Sequence, residues 1–169
     1  MIFVTVGTHE QPFDRLVSYM DRLKAVGLLD EEVVMQTGYS NYVPVHCSWS
    51  AFFPYGDMVK YVQQARIVIT HGGPSSFIMP LQVGKIPVVV PRQKKFGEHV
   101  NDHQLIFARQ VEEKQKNMIV VEDVDDLAKI LRDYDSAAAS MQGGLHSNNK
   151  AFCDGFSRLA QSLLGRELL

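Results

Sequence analysis

The segment from Val68 to Pro91 constrains the fold more than any other part of the chain. It places an apolar strand, a glycine turn, a short helix and a second apolar strand within 24 residues. The turn at His71, Gly72 and Gly73 allows a close approach of the main chain to a ligand. The next helix is predicted to present free N–H groups at its start, which favours an anion such as phosphate.

Strands and helices alternate along the rest of the chain. The strands are nearly continuous apolar runs, as in a parallel sheet that is covered on both faces. The pattern therefore predicts an α/β fold with a doubly wound, Rossmann-like parallel sheet. The predicted strands are 2–6, 32–37, 45–52, 66–70, 86–90 and 118–121, and the predicted helices begin near Pro12 and Met58 and span 74–82, 99–113 and 124–131.

The length of 169 residues and the hydrophobic content of 46% are expected of one domain with one sizeable core. We predict a single domain over residues 1–169, with a core over 1–133. Residues 134–169 are predicted to form a link and an amphipathic C-terminal helix through Phe152, Phe156, Leu159 and Leu163. The link is expected to be mobile over Ser136–Gly144, where small residues and glycines dominate.

Three loops are expected to meet at the carboxyl edge of such a sheet, where doubly wound proteins bind ligands. They are Gly7-Thr8-His9, the stretch from Thr70 to Ser76, and the stretch from Pro91 to Gln104. In the third loop, Arg92, Lys94 and Lys95 are interpreted as diphosphate ligands, because arginine makes paired contacts with such anions. The alternative is a solvated charged loop.

Other classes of function are disfavoured. A formal net charge of −2 argues against a nucleic-acid binder, and two cysteines without a paired motif argue against a disulfide framework or structural zinc. The spacing of His99 and His103, with Asp102 or Glu98 nearby, permits a zinc site, but no third ligand is fixed by spacing and no metal is expected. The absence of a signal-like or membrane-spanning run favours a cytoplasmic location.

Four motifs together resemble a known family. They are Phe3–His9, His71–Ser76, Gly84–Arg92 and Glu98–Gln104, and they resemble the C-terminal, donor-binding half of GT-B glycosyltransferases of family 28. The chain is most similar to the free-standing subunits of two-component enzymes. These include the bacterial capsule and exopolysaccharide β-1,4-galactosyltransferases and the small catalytic subunit of the eukaryotic dolichol-linked N-acetylglucosamine transferase.

The resemblance implies a subunit that binds a UDP-sugar and transfers a hexose, with galactose favoured, to a polyprenyl-diphosphate-linked saccharide. A membrane-associated partner would supply the other GT-B half, recruit this subunit to the cytoplasmic face of the membrane, and hold the catalytic base of an inverting reaction. No catalytic residue is assigned on this chain, and no cofactor is expected. An isolated chain is expected to form homodimers through the apolar surface meant for the partner.

The resemblance also assigns donor-binding residues. Gly7 and Thr8, with His9 beside them, would face the donor phosphates, and Asp102, His103 and Gln104 would reach the sugar. The family's ribose-binding glutamate is replaced by Met79, which cannot accept hydrogen bonds from hydroxyl groups, so Glu98 is considered as its substitute. The turn and helix start around the diphosphate would comprise His71, Gly72, Gly73, Pro74, Ser75 and Ser76, and Arg92 and His99 complete the predicted set.

Two alternatives stay open. In the first, the chain is a non-catalytic scaffold that stabilises a membrane glycosyltransferase, as Met79 would suggest. In the second, it is a stand-alone α/β enzyme that acts on a soluble phosphorylated metabolite. Binding of UDP distinguishes the first alternative, and activity without a partner would support the second.

Overall fold

Six parallel strands form the centre of the protein in the computed structural model, which describes residues 1–141, 155–158 and 161. The strands lie in the order β3-β2-β1-β4-β5-β6. The predicted doubly wound α/β fold is confirmed. The strand bounds are Ile2–Thr5 (β1), Val33–Gln36 (β2), Ser48–Ser50 (β3), Ile67–His71 (β4), Val88–Val90 (β5) and Ile119–Val120 (β6).

The strand order reverses between β1 and β4, which pair in parallel from Ile2 opposite Ile67 to Thr5 opposite Thr70. Strands β1, β2 and β3 run outward on one side of this point, and β4, β5 and β6 on the other. The loops that leave β1 and β4 therefore diverge and leave a crevice at the carboxyl edge of the sheet.

Five helices cover both faces of the sheet in the described part of the chain. Their bounds are Asp14–Ala25 (α1), Tyr55–Gln64 (α2), Pro74–Gln82 (α3), His103–Gln115 (α4) and Leu127–Ala139 (α5). Single 3₁₀ turns at Lys94–Phe96 and Val124–Asp126 precede the last two helices. Within the same residues, no helix is long and apolar enough to cross a bilayer.

Alternate residues of each central strand enter opposite cores, which explains the solid apolar runs in the sequence. On one face, Val4 and Ile69 pack with α1 and α5. On the other face, Phe3 and Val68 pack with α2, and Val89 packs with α3 and α4. Strands buried on both sides hold their carboxyl ends in fixed positions, and the candidate site is built there.

Two aspartates of α1 fix the loop that follows β2. Asp14 accepts hydrogen bonds from the main-chain N–H groups of Asn41 and Tyr42 at 2.7 and 2.9 Å. Asp21, which is buried, accepts main-chain hydrogen bonds from Val45 and His46 and a third from the Tyr42 hydroxyl. Burial raises the pKa of Asp21, but these hydrogen bonds outweigh it and hold the pKa below its usual value.

Three predicted elements differ from the structure. The third strand covers only Ser48–Ser50 rather than 45–52, because the Asp21 carboxylate binds the N–H groups at 45 and 46. The helix predicted over 99–113 begins at His103, since residues 99–102 form bends stabilised by local side-chain bonds. The helix predicted over 124–131 runs from Leu127 to Ala139.

Helix α5 thus includes residues that the sequence assigns to the mobile link. Alanines at 137–139 are strong helix formers, and Tyr134 anchors the helix by donating a 2.6 Å hydrogen bond to the carbonyl of Ile86. Residues 155–158 and 161 of the predicted C-terminal helix are helical and exposed. The remainder of that helix lies outside the described residues.

Candidate functional site

His71, the last residue of β4, lies between two glycines at the carboxyl edge of the sheet. A Cβ atom on Gly7 would lie 2.3 Å from Nε2 of His71, and one on Gly73 would lie 2.2 Å from Cε1. Gly7 also has a φ of +75°, in the left-handed region that favours glycine. Both glycines are therefore needed for the imidazole to occupy this position.

Hydrogen bonds favour one tautomer of His71. The N–H of Gly73 donates to Nδ1 at 3.1 Å, whereas Oε1 of Gln104 lies farther from the same nitrogen, at 3.4 Å, so we assign no proton to Nδ1. The ring proton then lies on Nε2, which is 2.9 Å from the hydroxyl oxygen of Ser76 and donates to it. The Ser76 proton is left to donate to another acceptor.

The His71 side chain is neutral at physiological pH. Burial is the largest cause and the nearby Arg92 charge the second, and together they lower the pKa of His71 to about 4. A neutral imidazole that donates from Nε2 to a hydroxyl group orients that hydroxyl group. It is poorly suited to act as a general base, because the lone pair of its unprotonated nitrogen already accepts a hydrogen bond from the N–H of Gly73.

Helix α3 begins beside this ring and has no side-chain cap at its N-terminus. Gly73 is the extended residue before the helix, and Pro74 occupies the first turn, where a missing N–H costs nothing. Ser75 is exposed and Ser76 is half-buried. The N–H groups of Ser76 and Phe77 donate to the Gly73 carbonyl. The N–H of Ser75 and the positive end of the helix dipole are therefore what the helix start offers to an anion.

The three loops predicted to meet do meet. A Cβ atom on Gly72 would lie 2.9 Å from Cβ of Gln104 and 3.2 Å from Cβ of Pro91, so the second and third loops are in contact. The rings of His9 and His99 lie 4.8 Å apart, which joins the first loop to the third. Burial is the largest cause that lowers the pKa of His9.

The structure contradicts the prediction that Arg92 contacts a diphosphate directly. Its side chain is fully buried, and its guanidinium donates to main-chain carbonyls of the first and third loops. Lys94 and Lys95 are exposed. The phosphate interpretation of this charge run therefore stays a prediction for the two lysines alone.

Glu98 is also not available as a substitute for the ribose-binding glutamate. It is buried, and both carboxylate oxygens bind Arg15, at 2.8 and 3.0 Å. One oxygen also accepts the N–H of Gln93 at 3.0 Å. Met79 packs against the apolar cluster around Phe3 and Val68.

The remaining predicted residues line the third loop. Asp102 accepts the N–H of Lys94 at 2.8 Å, which shapes the loop. His103 is exposed and stacks on Phe107. Gln104 is buried, and its Oε1 accepts the N–H of Arg92 at 3.3 Å. Of these residues, His103 and the half-buried Asp102 are the ones whose polar groups are accessible to solvent.

Two residues of the site are missing from the sequence-based prediction. Arg15 pairs with Glu98 across 83 positions, a contact that no local pattern indicates. Gly38, with a φ of +55°, lies against the first loop, since a Cβ there would be 2.8 Å from the carbonyl oxygen of Gly7. The one sequence feature that could have indicated Gly38 is its position directly after a predicted strand, which is also the position of Gly7.

No group of three or more His, Cys, Asp or Glu side chains within the described residues is arranged to hold a metal ion. The accessible polar groups of the three loops include the hydroxyl groups of Thr8, Ser75 and Ser76 and the imidazoles of His9, His99 and His103. Such groups are suited to bind an oxyanion.

The family model and the relatives that match this chain are all glycosyltransferases. The model of the glycosyltransferase family 28 C-terminal domain matches residues 1–159. The UDP-N-acetylglucosamine transferase subunit ALG13 of Homo sapiens is 36% identical over 119 residues, which are 65% of this chain and 10% of that protein. The Mus musculus subunit is 35% identical over 118 residues, 64% of this chain and 10% of that protein. The chain thus spans about a tenth of the curated relatives it matches.

Solved structures show the same fold at low identity. The glycosyltransferase SnogD from Streptomyces nogalater has a TM-score of 0.57 and 18% identity, over 81% of this chain and 35% of that chain. The glycotransferase of kitacinnamycin has a TM-score of 0.56 and 19% identity, over 82% of this chain and 34% of that chain. This chain therefore corresponds to about one third of those proteins.

Proposed function

Because the chain belongs to the family of the glycosyltransferase family 28 C-terminal domain, we propose that it binds the donor of a sugar transfer, a UDP-linked hexose, in the crevice described above. As the donor-binding subunit, it would transfer the hexose to a polyprenyl-diphosphate-linked saccharide in polysaccharide biosynthesis. Part of the active site would then come from a membrane-associated partner subunit.

The neutral His71 at the uncapped start of α3 is the observation that carries this proposal. It orients the Ser76 hydroxyl so that its proton is available to an acceptor in the crevice. The donated proton, the N–H group of Ser75 and the positive end of the helix dipole all lie at the N-terminus of α3. A diphosphate has the charge and the oxygen atoms that satisfy all of these groups.

The same groups would act in the reaction. When the bond between the sugar and UDP breaks, negative charge develops on the diphosphate, and donors fixed beforehand stabilise it at little reorganisation cost. An inverting transfer also needs a base on the acceptor side. We place that base on the partner subunit, since His71 is neutral and has both ring nitrogens engaged.

The identity of the sugar is a finer proposal. The sequence resemblance to β-1,4-galactosyltransferase subunits favours galactose, whereas the curated relatives are named UDP-N-acetylglucosamine transferase subunits. The word "subunit" in that name supports a two-component enzyme for this chain as well. The partner would recruit the chain to the cytoplasmic face of the membrane.

Calorimetric titration with UDP, UDP-galactose and UDP-N-acetylglucosamine tests donor binding. The variant Ser76→Ala is expected to weaken UDP binding roughly tenfold or more, because a hydrogen bond to a charged group contributes about 1.5–3 kcal/mol. Ser48→Ala is the matched control, since Ser48 is exposed on the edge strand β3. The sugar that adds affinity over UDP alone identifies the donor.

The scaffold role is the second candidate, and it is favoured by Met79, which packs in an apolar cluster where the family has a carboxylate. Absence of saturable binding up to millimolar UDP would refute the donor site and favour this role. Transfer by the purified chain alone would instead argue for a stand-alone enzyme.

A further inference from the structure

Arg92 is a fully buried cation beneath the crevice. Its guanidinium donates to main-chain carbonyls at both ends of the site and packs over the ring of Phe13 at 4.7 Å. The carbonyl acceptors and distances are Val6 (3.0 Å), Gln11 (2.7 Å), Pro12 (3.2 Å) and Glu98 (3.2 Å). All four acceptors are uncharged.

The charge of Arg92 is only partly balanced by a carboxylate, since Glu98 acts on it without pairing with it and opposes the lowering of its pKa by burial. Within the described residues, no Asp or Glu oxygen forms an ion pair with it, and the nearby Glu98 is already paired with Arg15. Two arginines and one glutamate leave the buried cluster of Arg15, Arg92 and Glu98 with a net charge of +1. Burial lowers the pKa of Arg92 to about 10, so the side chain remains charged at neutral pH.

The charge of Arg92 acts on two histidines at the crevice. After burial, Arg92 is the next cause that lowers the pKa of both His71 and His9, which come from different loops. His99 acts in the same direction on both rings, and Glu10 opposes it at His9. A cation inside the protein is screened by solvent less than one at the surface, so its effect reaches a bound ligand.

We infer that Arg92 is a specificity-determining residue: without contacting the ligand, its unpaired charge makes the crevice favour an anion such as a nucleoside diphosphate over a neutral molecule. The inference rests on the proposed donor site. An unpaired buried cation is costly in the free protein, and an anion bound nearby offsets part of that cost. The lysines of the third loop are exposed, and salt screens them more strongly.

Affinities for UDP and for uridine separate this electrostatic role from a structural one. Arg92→Met is expected to lower the ratio of UDP affinity to uridine affinity roughly tenfold, since interior charges interact across an effective dielectric constant of about 20. Arg109→Met is the control, because Arg109 is exposed and paired with Glu122. If Arg92→Met weakens both ligands equally, Arg92 only holds the loops and the inference is wrong.

Arg92→Lys keeps the test decisive if the methionine variant does not fold. Lysine retains the charge, but burial depresses its pKa and makes that charge titratable. The UDP to uridine ratio should then fall in this variant as pH rises from about 7 to 8.5, while the ratio of the unchanged protein stays flat because Arg92 remains charged over that range. A ratio that is flat in both proteins would overturn the inference.

An NMR titration of the histidines distinguishes failure of this inference from failure of the proposed function. Loss of the Arg92 charge is expected to raise the pKa of His71 and His9, whether or not UDP binds. If these pKa values rise but the unchanged protein binds no UDP, the donor site is wrong and the field of Arg92 stands. If they do not rise in Arg92→Met, or in Arg92→Gln where the methionine variant does not fold, the inference fails even when UDP binds.

Discussion

Replacement of Gly7 by alanine should destabilise the protein far more than an ordinary glycine replacement. A non-glycine residue at a φ of +75° costs roughly 1–2 kcal/mol. The new Cβ would also lie 2.3 Å from Nε2 of His71, and the ring cannot move away because Gly73 closes its other side. Displacing the ring breaks its hydrogen bonds to Gly73 and Ser76, at about 1 kcal/mol each. The expected total loss is about 3–4 kcal/mol.

Gly84→Ala is the matched control for this prediction. Gly84 has a φ of +77°, and a Cβ there would meet nothing within 4 Å. Urea unfolding should therefore give a loss of only about 1–2 kcal/mol for Gly84→Ala. The difference between the two variants, about 2 kcal/mol, measures the clash with His71 separately from the backbone cost.

A double-mutant cycle identifies His71 as the cause. In a His71→Ala background the space beside Gly7 is empty, so Gly7→Ala should cost no more than Gly84→Ala does. If Gly7→Ala and Gly84→Ala lose equal stability in the unchanged protein, the imidazole has room to move. The reasoning that it is held between two glycines would then be refuted.

Three further predictions follow from buried polar groups. The pKa of His71 falls from 6.5 to about 4 on folding, so the neutral side chain is fully compatible with the folded state above pH 6.5. Up to roughly 3 kcal/mol of the free energy of unfolding is lost as pH falls toward 4. Unfolding at a series of pH values, compared with His71→Ala, checks this. Asp21→Asn should lower the free energy of unfolding by about 2 kcal/mol at pH 7. The variant should also lack the part of the acid destabilisation below about pH 4 that comes from protonation of Asp21, which unfolding measured at decreasing pH would show. Tyr134→Phe leaves the carbonyl of Ile86 without its buried donor and should cost about 1–2 kcal/mol in thermal unfolding; an unchanged midpoint would contradict that.

The fold and the meeting of three loops were predictable because they depend on local patterns. Apolar runs such as Val88–Val90 and Ile67–Ile69 are buried on both faces, and this feature alone indicates a parallel sheet. Once the sheet is parallel, the loops after its strands must lie on one edge. The resemblance to family 28 glycosyltransferases is confirmed by the match over residues 1–159.

The direction of charged side chains was not predictable in the same way. Arg92 lies in a run of cations that is typical of a surface loop, but its side chain is fully buried. One signal was present: Val88 and Val90 both face the α1 side of the sheet, and Arg92 continues that alternation by two more residues. The pairing of Arg15 with Glu98 had no such signal, because it joins a helix to a loop far along the chain.

The contacts between Gly38, Gly7, His71 and Gly73 also bear on how such a site can evolve. Each of the three glycines lies on a different loop, and each would place a Cβ within 3 Å of its neighbour. A single mutation at one of them is therefore penalised unless a second change occurs elsewhere in the group. Substitutions at the open side of the crevice, where Thr8, Ser75 and His103 are exposed, carry no such joint penalty. Changes in ligand preference should accumulate at those positions, around an interior that stays fixed.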